Sequence, residues 1–112
     1  MEPKKLDIII WQGSTWDKTF VFSKNGSAWP DGTILARAQI RDTSYDIKLA
    51  DFACTVVTIA ASNTVTISLT ATITAGIDAG RGVWDLELYR DSDNYVWKPF
   101  YGFVTIKAEA TK

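Results

Sequence analysis

The residues best suited to catalysis in this sequence are two carboxylates, Asp85 and Glu87, within the alternating run GVWDLEL. Residues two positions apart on a strand share a face, so both carboxylates would project opposite Trp84 and Leu86. A glycosidase needs two carboxylates at a set separation in a cleft, one of them in an apolar pocket that raises its pKa. Two carboxylates on a regular strand are more often part of a solvated face, so the sequence favours a protein that is not an enzyme.

Other groups that commonly perform chemistry are scarce. The chain contains no histidine, which removes the commonest general base and the usual ligand of zinc and copper sites. Its single cysteine, Cys54, lies in an apolar run and has no imidazole partner, so we expect a buried, inert thiol in a reducing cytosol. The sequence therefore predicts no catalytic residue, no cofactor and no metal site.

One acidic segment, Asp-Ser-Asp-Asn at 91–94, superficially resembles the start of a calcium loop. Such a loop needs a glycine at its sixth position and a distant glutamate, and the sequence supplies neither. Asp and Asn also favour tight turns. We therefore predict that this segment is the turn of a long antiparallel hairpin.

Five tryptophans in a chain of 112 residues suggest a recognition surface in addition to a core. Tryptophan is enriched at protein interfaces and also stacks on sugar rings in binding modules. Trp84 is expected in the core, whereas Trp97 and the other three are candidates for surface anchors. Both faces of the first predicted strand are apolar, so the face that carries Ile9 and Trp11 is a candidate contact surface. Trp16 and Trp29 fall in predicted loops. The predicted interface residues are Ile9, Trp11, Trp16 and Trp29.

Charge and hydropathy exclude several classes of partner. The 12 basic and 13 acidic residues are mixed along the chain, giving a net charge of -1. Because there is no basic stripe, we expect no nucleic-acid partner. No polybasic segment and no run long enough to span a bilayer is present, so no membrane partner is expected either. The short N-terminal apolar run does not fit a signal peptide, which predicts synthesis in the cytoplasm. The chain length predicts one domain, residues 1–112.

Alternation of apolar and polar residues predicts an all-β domain with turn signals spaced as in sandwiches and barrels. The predicted strands, about seven, are residues 6–11, 17–23, 34–41, 55–59, 64–69, 82–88 and 101–106. The segment from Thr70 to Ile77 predicts at most one short helical turn, capped by Thr70 and ended by Gly76.

Same-face alternation also predicts the core. Two small residues, Ala36 and Ala38, are expected under a bulky neighbour such as Trp84. The predicted core residues are Phe20, Phe22, Ile34, Ala38, Ile40, Ile67, Leu69, Trp84, Leu86, Leu88, Val104 and Ile106.

Several short motifs follow one another in a fixed order along nearly the whole chain. They are QGST (12–15), ARAQIR (36–41), VTISLTA (65–71) with TAG (74–76), GVWDLEL (82–88) and YGFVTI (101–106). In this order the motifs resemble small β-sandwich proteins of tailed bacteriophage particles, including the N-terminal domain of baseplate upper proteins. Those proteins share a Q-G-x-T turn, an A-R-x-x-I-R strand, an L-T/S-A-x-x-T segment and an aromatic-Asp-Leu strand.

The resemblance implies an immunoglobulin-like antiparallel β-sandwich in a virion, packed against other phage tail, neck or baseplate subunits. It implies multiple copies in a symmetric assembly and no catalytic residues. Baseplate upper proteins continue into further domains, whereas this sequence stops at Lys112, so a stand-alone adaptor or decoration subunit is expected. The alternative function is a carbohydrate-binding or adhesion module that uses exposed Trp and Tyr to bind a glycan.

Overall fold

The computed structural model describes residues 3–59 and 61–110, which form ten strands and one short helix. The strands are β1 Lys4–Lys5, β2 Ile8–Trp11, β3 Trp16–Lys24, β4 Ser27–Ala28, β5 Leu35–Asp42, β6 Lys48–Asp51, β7 Ala53–Ile59, β8 Ser62–Leu69, β9 Gly80–Arg90 and β10 Tyr95–Lys107. Each of the seven predicted strands is present, as β2, β3, β5, β7, β8, β9 and β10. Three strands were not predicted: β1 and β4 have only two residues each, and β6 lacks clean alternation of apolar and polar residues.

Two sheets pack against each other and confirm the predicted all-β sandwich. One sheet has the order β1-β10-β9-β5-β6, with β2 following β1 along the same edge of β10. The other sheet has the order β4-β3-β8-β7. Among the described strands, β1 and β2 run parallel to β10 and every other pair is antiparallel. Parallel pairing needs a long connection, and here most of the chain separates the paired strands.

The core lies between the two sheets, and all twelve predicted core residues are buried. Within the sheet, Ala36 and Ala38 pair with Leu88 and Leu86 of β9, and Trp84 pairs with Ile40 two residues further along β5. The core also contains residues that were not predicted. They include Ile8, Ile10, Phe52 and Ile77.

The single helix, α1, covers Ala71–Ala75 and matches the predicted short turn. The Thr70 hydroxyl accepts a hydrogen bond from the Ile73 backbone N–H at 3.3 Å, and Gly76 forms the C-terminal cap. This is the side-chain capping that satisfies an otherwise unpaired N–H at a helix start. The part of the chain that the structure describes contains no helix long and apolar enough to cross a membrane.

The late hairpin, β9 and β10, also has its predicted turn. Asn94 adopts a positive φ of 56°, and the Asp93 carboxylate accepts two hydrogen bonds from the Arg90 guanidinium at 2.9 and 2.8 Å. The pairing shifts register between Trp97 and Phe100. Pro99 lies within that irregularity, where its missing N–H disrupts no ladder.

Cys54 departs from its expected environment, because it is half-buried in β7 instead of fully buried. Its Sγ donates a weak hydrogen bond to the Phe52 carbonyl at 3.6 Å. Burial raises the pKa of this thiol above its ordinary value. The thiolate, which is the reactive form, is therefore disfavoured.

Candidate functional site

The N-terminal edge strand β2 displays two of the predicted interface residues. Ile9 and Trp11 are each 53% exposed, while Ile8 and Ile10, which alternate with them along the strand, are buried. Lys107 of the adjacent strand places its Nζ 5.5 Å from the centre of the Trp11 ring, a cation–π arrangement. The strand thus presents an apolar outer face beside an unpaired strand edge, as its two-sided apolar sequence predicted.

The segment before β2 is fixed by contacts with Trp84 and β10. The Trp84 indole N–H donates to the Leu6 carbonyl at 2.7 Å, and the Leu6 N–H donates to the Tyr101 carbonyl at 2.8 Å. The Asp7 carboxylate accepts a hydrogen bond from the Phe103 N–H at 3.0 Å. A side chain at Gly102 would overlap the Leu6 carbonyl, so glycine is required for this close approach.

The other end of β2 is fixed by the side chain of Gln12. Its amide nitrogen donates to the Ile77 carbonyl at 2.8 Å, and its amide oxygen accepts from the Glu109 N–H at 3.3 Å. The Thr74 hydroxyl of α1 donates to the Ser14 carbonyl at 2.8 Å. These bonds join residues of the QGST and TAG motifs. Together with the contacts of Leu6, they hold β2 and its residues Ile9 and Trp11 at both ends of the strand.

The other two predicted interface residues lie elsewhere. Trp16 is the first residue of β3, not a loop residue, and its half-buried ring lies 5.4 Å from Phe52 at an angle of 52°. Trp29 follows β4 in a loop, as expected, with the Lys24 Nζ 4.5 Å from its ring centre. Because Ala28 pairs with Ser23, Trp29 lies near the level of Phe22, and the usual rise of a strand places it roughly 20 Å from Trp16. The four residues therefore do not form one patch.

Trp29 instead borders a groove on the side of the sandwich where β1 and β3 approach. The groove has a volume of about 280 Å³. Its lining residues are Lys4, Val21, Phe22, Ser23, Trp29, Trp97, Pro99 and Phe100. Trp97 was predicted only as a candidate surface anchor. The groove itself was not predicted, because the walls of the groove come from distant parts of the chain.

Both tryptophans of the groove have an unpaired donor. The Nε1 atoms of Trp29 and Trp97 are shielded from water, and neither has a hydrogen-bond partner among residues 3–59 and 61–110. Buried polar groups are usually paired, so two unpaired indole N–H groups beside one groove need an explanation. Because both nitrogens are shielded, neither donor is open to a ligand in the groove in this conformation.

The carboxylates considered for catalysis lie on the outer face of the six-stranded sheet. Glu87 accepts from the Arg37 guanidinium at 2.8 Å, and Asp85 lies 3.0 Å from the Lys98 Nζ. The bond to Glu87 raises the pKa of Arg37 above its ordinary value. Asp85 and Glu87 border a depression of about 130 Å³, below the size of most ligand sites. Asp85 also borders a wider depression of about 510 Å³ together with Trp84 and Lys98, and Glu87 does not line that one. Residues 3–59 and 61–110 contain no group of acidic or cysteine side chains arranged to hold a metal ion.

A second open edge is β7, the last strand of the four-stranded sheet. Its seven residues, ACTVVTI, include no charged residue and no proline, and Val57 and Ile59 are exposed. Natural sheets usually protect such edges with charges, proline or short strands. The described edge strands β1 and β6 carry lysine, so β7 differs from them.

No family model matches this chain, and no curated protein matches it in sequence. The solved structures that it resembles include a family 123 glycoside hydrolase from Clostridium perfringens, with a TM-score of 0.61 and 10% identity. That match covers 95% of this chain and 23% of the hydrolase chain. InlP from Listeria monocytogenes gives a TM-score of 0.46 at 15% identity, over 94% of this chain and 28% of InlP.

The chain therefore spans about a quarter of the length of each of these proteins. At 10% identity, the likeness to the hydrolase shows a shared fold and says nothing of activity. The likeness to InlP is too weak to support an inference.

Proposed function

We propose that this chain is a non-catalytic structural subunit of a tailed-phage particle and acts through contacts with other virion proteins. The observation that carries the proposal is the outer face of β2, where Ile9 and Trp11 are exposed on a strand fixed at both ends. A rigid, exposed tryptophan beside an open strand edge is the kind of residue that anchors protein interfaces. The uncharged edge of β7 offers a second contact surface.

The phage assignment is supported by the ordered motifs of the sequence. In the fold, these motifs supply the turn after β2, strands β5, β8, β9 and β10, and the helix α1. The contacts of Gln12 and Thr74 join two of the motifs at the end of β2. The motifs thus support the surface on which the proposed function depends.

The first experiment is mass spectrometry of purified phage particles from the strain that encodes the chain. The subunit should be present, and Trp11→Ser and Ile9→Ser should fold normally but fail to enter particles. Ile47→Ser is the matched control, because Ile47 is 61% exposed in the loop between β5 and β6. Particles without the chain, or normal incorporation of both β2 variants, would contradict the proposal.

A glycan-binding or adhesion module is the second candidate. The observation in its favour is the groove with aromatic walls, since aromatic rings stack on sugar rings. Binding of an oligosaccharide by a chain that is absent from particles would favour this candidate.

A further inference from the structure

The strand β7 lacks the charges and the proline that usually protect the edge of a sheet. In the part of the chain that the structure describes, β7 pairs only with β8, so its other side is open. We propose that this edge pairs with the β7 edge of a second copy of the chain, which joins the two four-stranded sheets into one continuous sheet. The inference rests on the proposed function in treating β7 as a contact surface, and it names what occupies that surface.

The free part of the edge runs from Thr55 to Ile59. Just before β7, the Phe52 N–H donates to the Ala38 carbonyl of β5 at 3.0 Å, so the start of the strand is held against the other sheet. The residues after Cys54, TVVTI, are all β-branched and carry no charge. Short segments of high β-propensity without charge or proline are those that pair with identical copies of themselves. The sequence of the edge therefore favours a second copy over an unrelated strand.

An antiparallel two-fold pairing fits this segment. Val56 packs against the core, so Thr55, Val57 and Ile59 point to the outer face. With Val57 opposite its own copy, Thr55 lies opposite Ile59, and every outward residue meets another outward residue. In one copy Val57 and Ile59 are 44% and 64% exposed, and the pairing brings these apolar side chains together. Pairs of β-branched residues across two strands stabilise a sheet.

The other described edges are poorer partners for β7. The strands β1 and β6 carry lysine, and β3, on the far side of the same sheet, carries Asp17 and Lys18. The strand β2 is uncharged but has only four residues and lies beside Lys107. Pairing β7 with any of these edges would be head-to-tail and would leave a free β7 at the end of each assembly. Pairing β7 with β7 closes at two copies.

The test measures the mass of the purified chain by sedimentation velocity. Because an interface made by one strand is small, the concentration is raised from about 1 µM to 1 mM, the range in which weak complexes dissociate. The wild-type protein should change from one chain to two and go no further. A change at β7 enters such a dimer twice, once from each copy.

Val57→Lys should raise the dissociation constant about tenfold or more, because the two-fold pairing places two ammonium groups opposite each other. Added salt should restore part of the loss by screening this repulsion, which a merely misfolded variant would not show. The matched control is Val21→Lys, because Val21 and Val57 both pair with Thr64 and lie in one row of the sheet. This control should leave the dissociation constant unchanged.

Hydrogen exchange of the wild-type protein gives a second measurement that depends on no variant. In an edge strand, alternate residues direct their N–H groups away from the sheet. Some amides between Thr55 and Ile59 should therefore exchange rapidly in dilute protein and become protected in concentrated protein. The amides of β6, another edge strand, should exchange equally at both concentrations.

The proposal would be overturned by a chain that stays monomeric at every concentration, by association beyond two copies, or by a dimer that Val57→Lys leaves intact. An equal loss with Val21→Lys would also overturn it, because the copies would then meet through the flat outer face of the sheet. A monomer in solution leaves incorporation into particles through β2 untouched. Conversely, absence from particles would refute the proposed function, while sedimentation still reports on β7.

Discussion

Trp84 links the core of the sandwich to the edge strand on which the proposed interface lies. It is 3% exposed, its ring centre lies 6.5 Å from Phe20 and 6.2 Å from Phe52, and its N–H donates to the Leu6 carbonyl at 2.7 Å. Replacing a buried tryptophan with alanine costs about 3–5 kcal/mol, and the lost hydrogen bond adds about 1 kcal/mol. Trp84→Ala should thus cost about 4–6 kcal/mol, a large part of the 5–15 kcal/mol that is usual for a small domain.

Trp84→Phe separates the two contributions, because it keeps a large apolar ring and removes the donor. We expect it to destabilise the protein by about 1–2 kcal/mol and to speed hydrogen exchange in β2 more than in β8. Urea unfolding followed by far-UV circular dichroism measures the free energies without relying on tryptophan fluorescence. Trp11→Phe, at an exposed position, is the control and should change stability by less than about 0.5 kcal/mol.

Unchanged unfolding of Trp84→Ala would refute the placement of Trp84 in the core. If Trp84→Phe unfolds at the wild-type urea concentration, with unaltered exchange in β2, the bond to Leu6 does not hold the edge strand. In that case the support for a rigidly presented Ile9 and Trp11 would be lost.

Two further predictions concern the backbone at β10 and the turn after β5. Gly102→Ala should destabilise the protein by about 1–3 kcal/mol in the same urea assay, because the new Cβ overlaps the Leu6 carbonyl. The matched control is Gly76→Ala, because its new Cβ would lie an ordinary 3.5 Å from the nearest atom. If both changes destabilise the protein equally, the overlap with Leu6 is not the cause. The Asp42 carboxylate accepts from the Ser44 hydroxyl and two backbone N–H groups, and these bonds lower its pKa. The carboxylate of the unfolded chain takes up a proton at a higher pH than that of the folded chain, so stability should fall as the pH drops below about 4. Asp42→Asn should make the fall of the melting temperature with pH less steep. Identical pH profiles of the two proteins would refute this role of Asp42.

The sequence by itself determined seven of the ten described strands and, for most of those seven, the face that is buried. Alternation is a local property of the chain, so Leu86 and Leu88 could be assigned to the core without knowledge of their partners. The cap of α1 was predictable for the same reason, because Thr70 and Gly76 act within a few residues of the helix. The exposed pair Ile9 and Trp11 followed from the missing polar face of the first strand.

Only the tertiary structure decided how distant segments pair. Nothing in the local pattern says that β1 and β2 run parallel to β10, since that pairing joins opposite ends of the chain. The position of Trp16 against Phe52 depends on how the chain crosses from one sheet to the other. The groove exists only because the loop of Trp29 and the irregular part of β10 at Trp97 meet beside β1. Such contacts depend on packing across the whole domain, and periodicity within one strand carries no information about them.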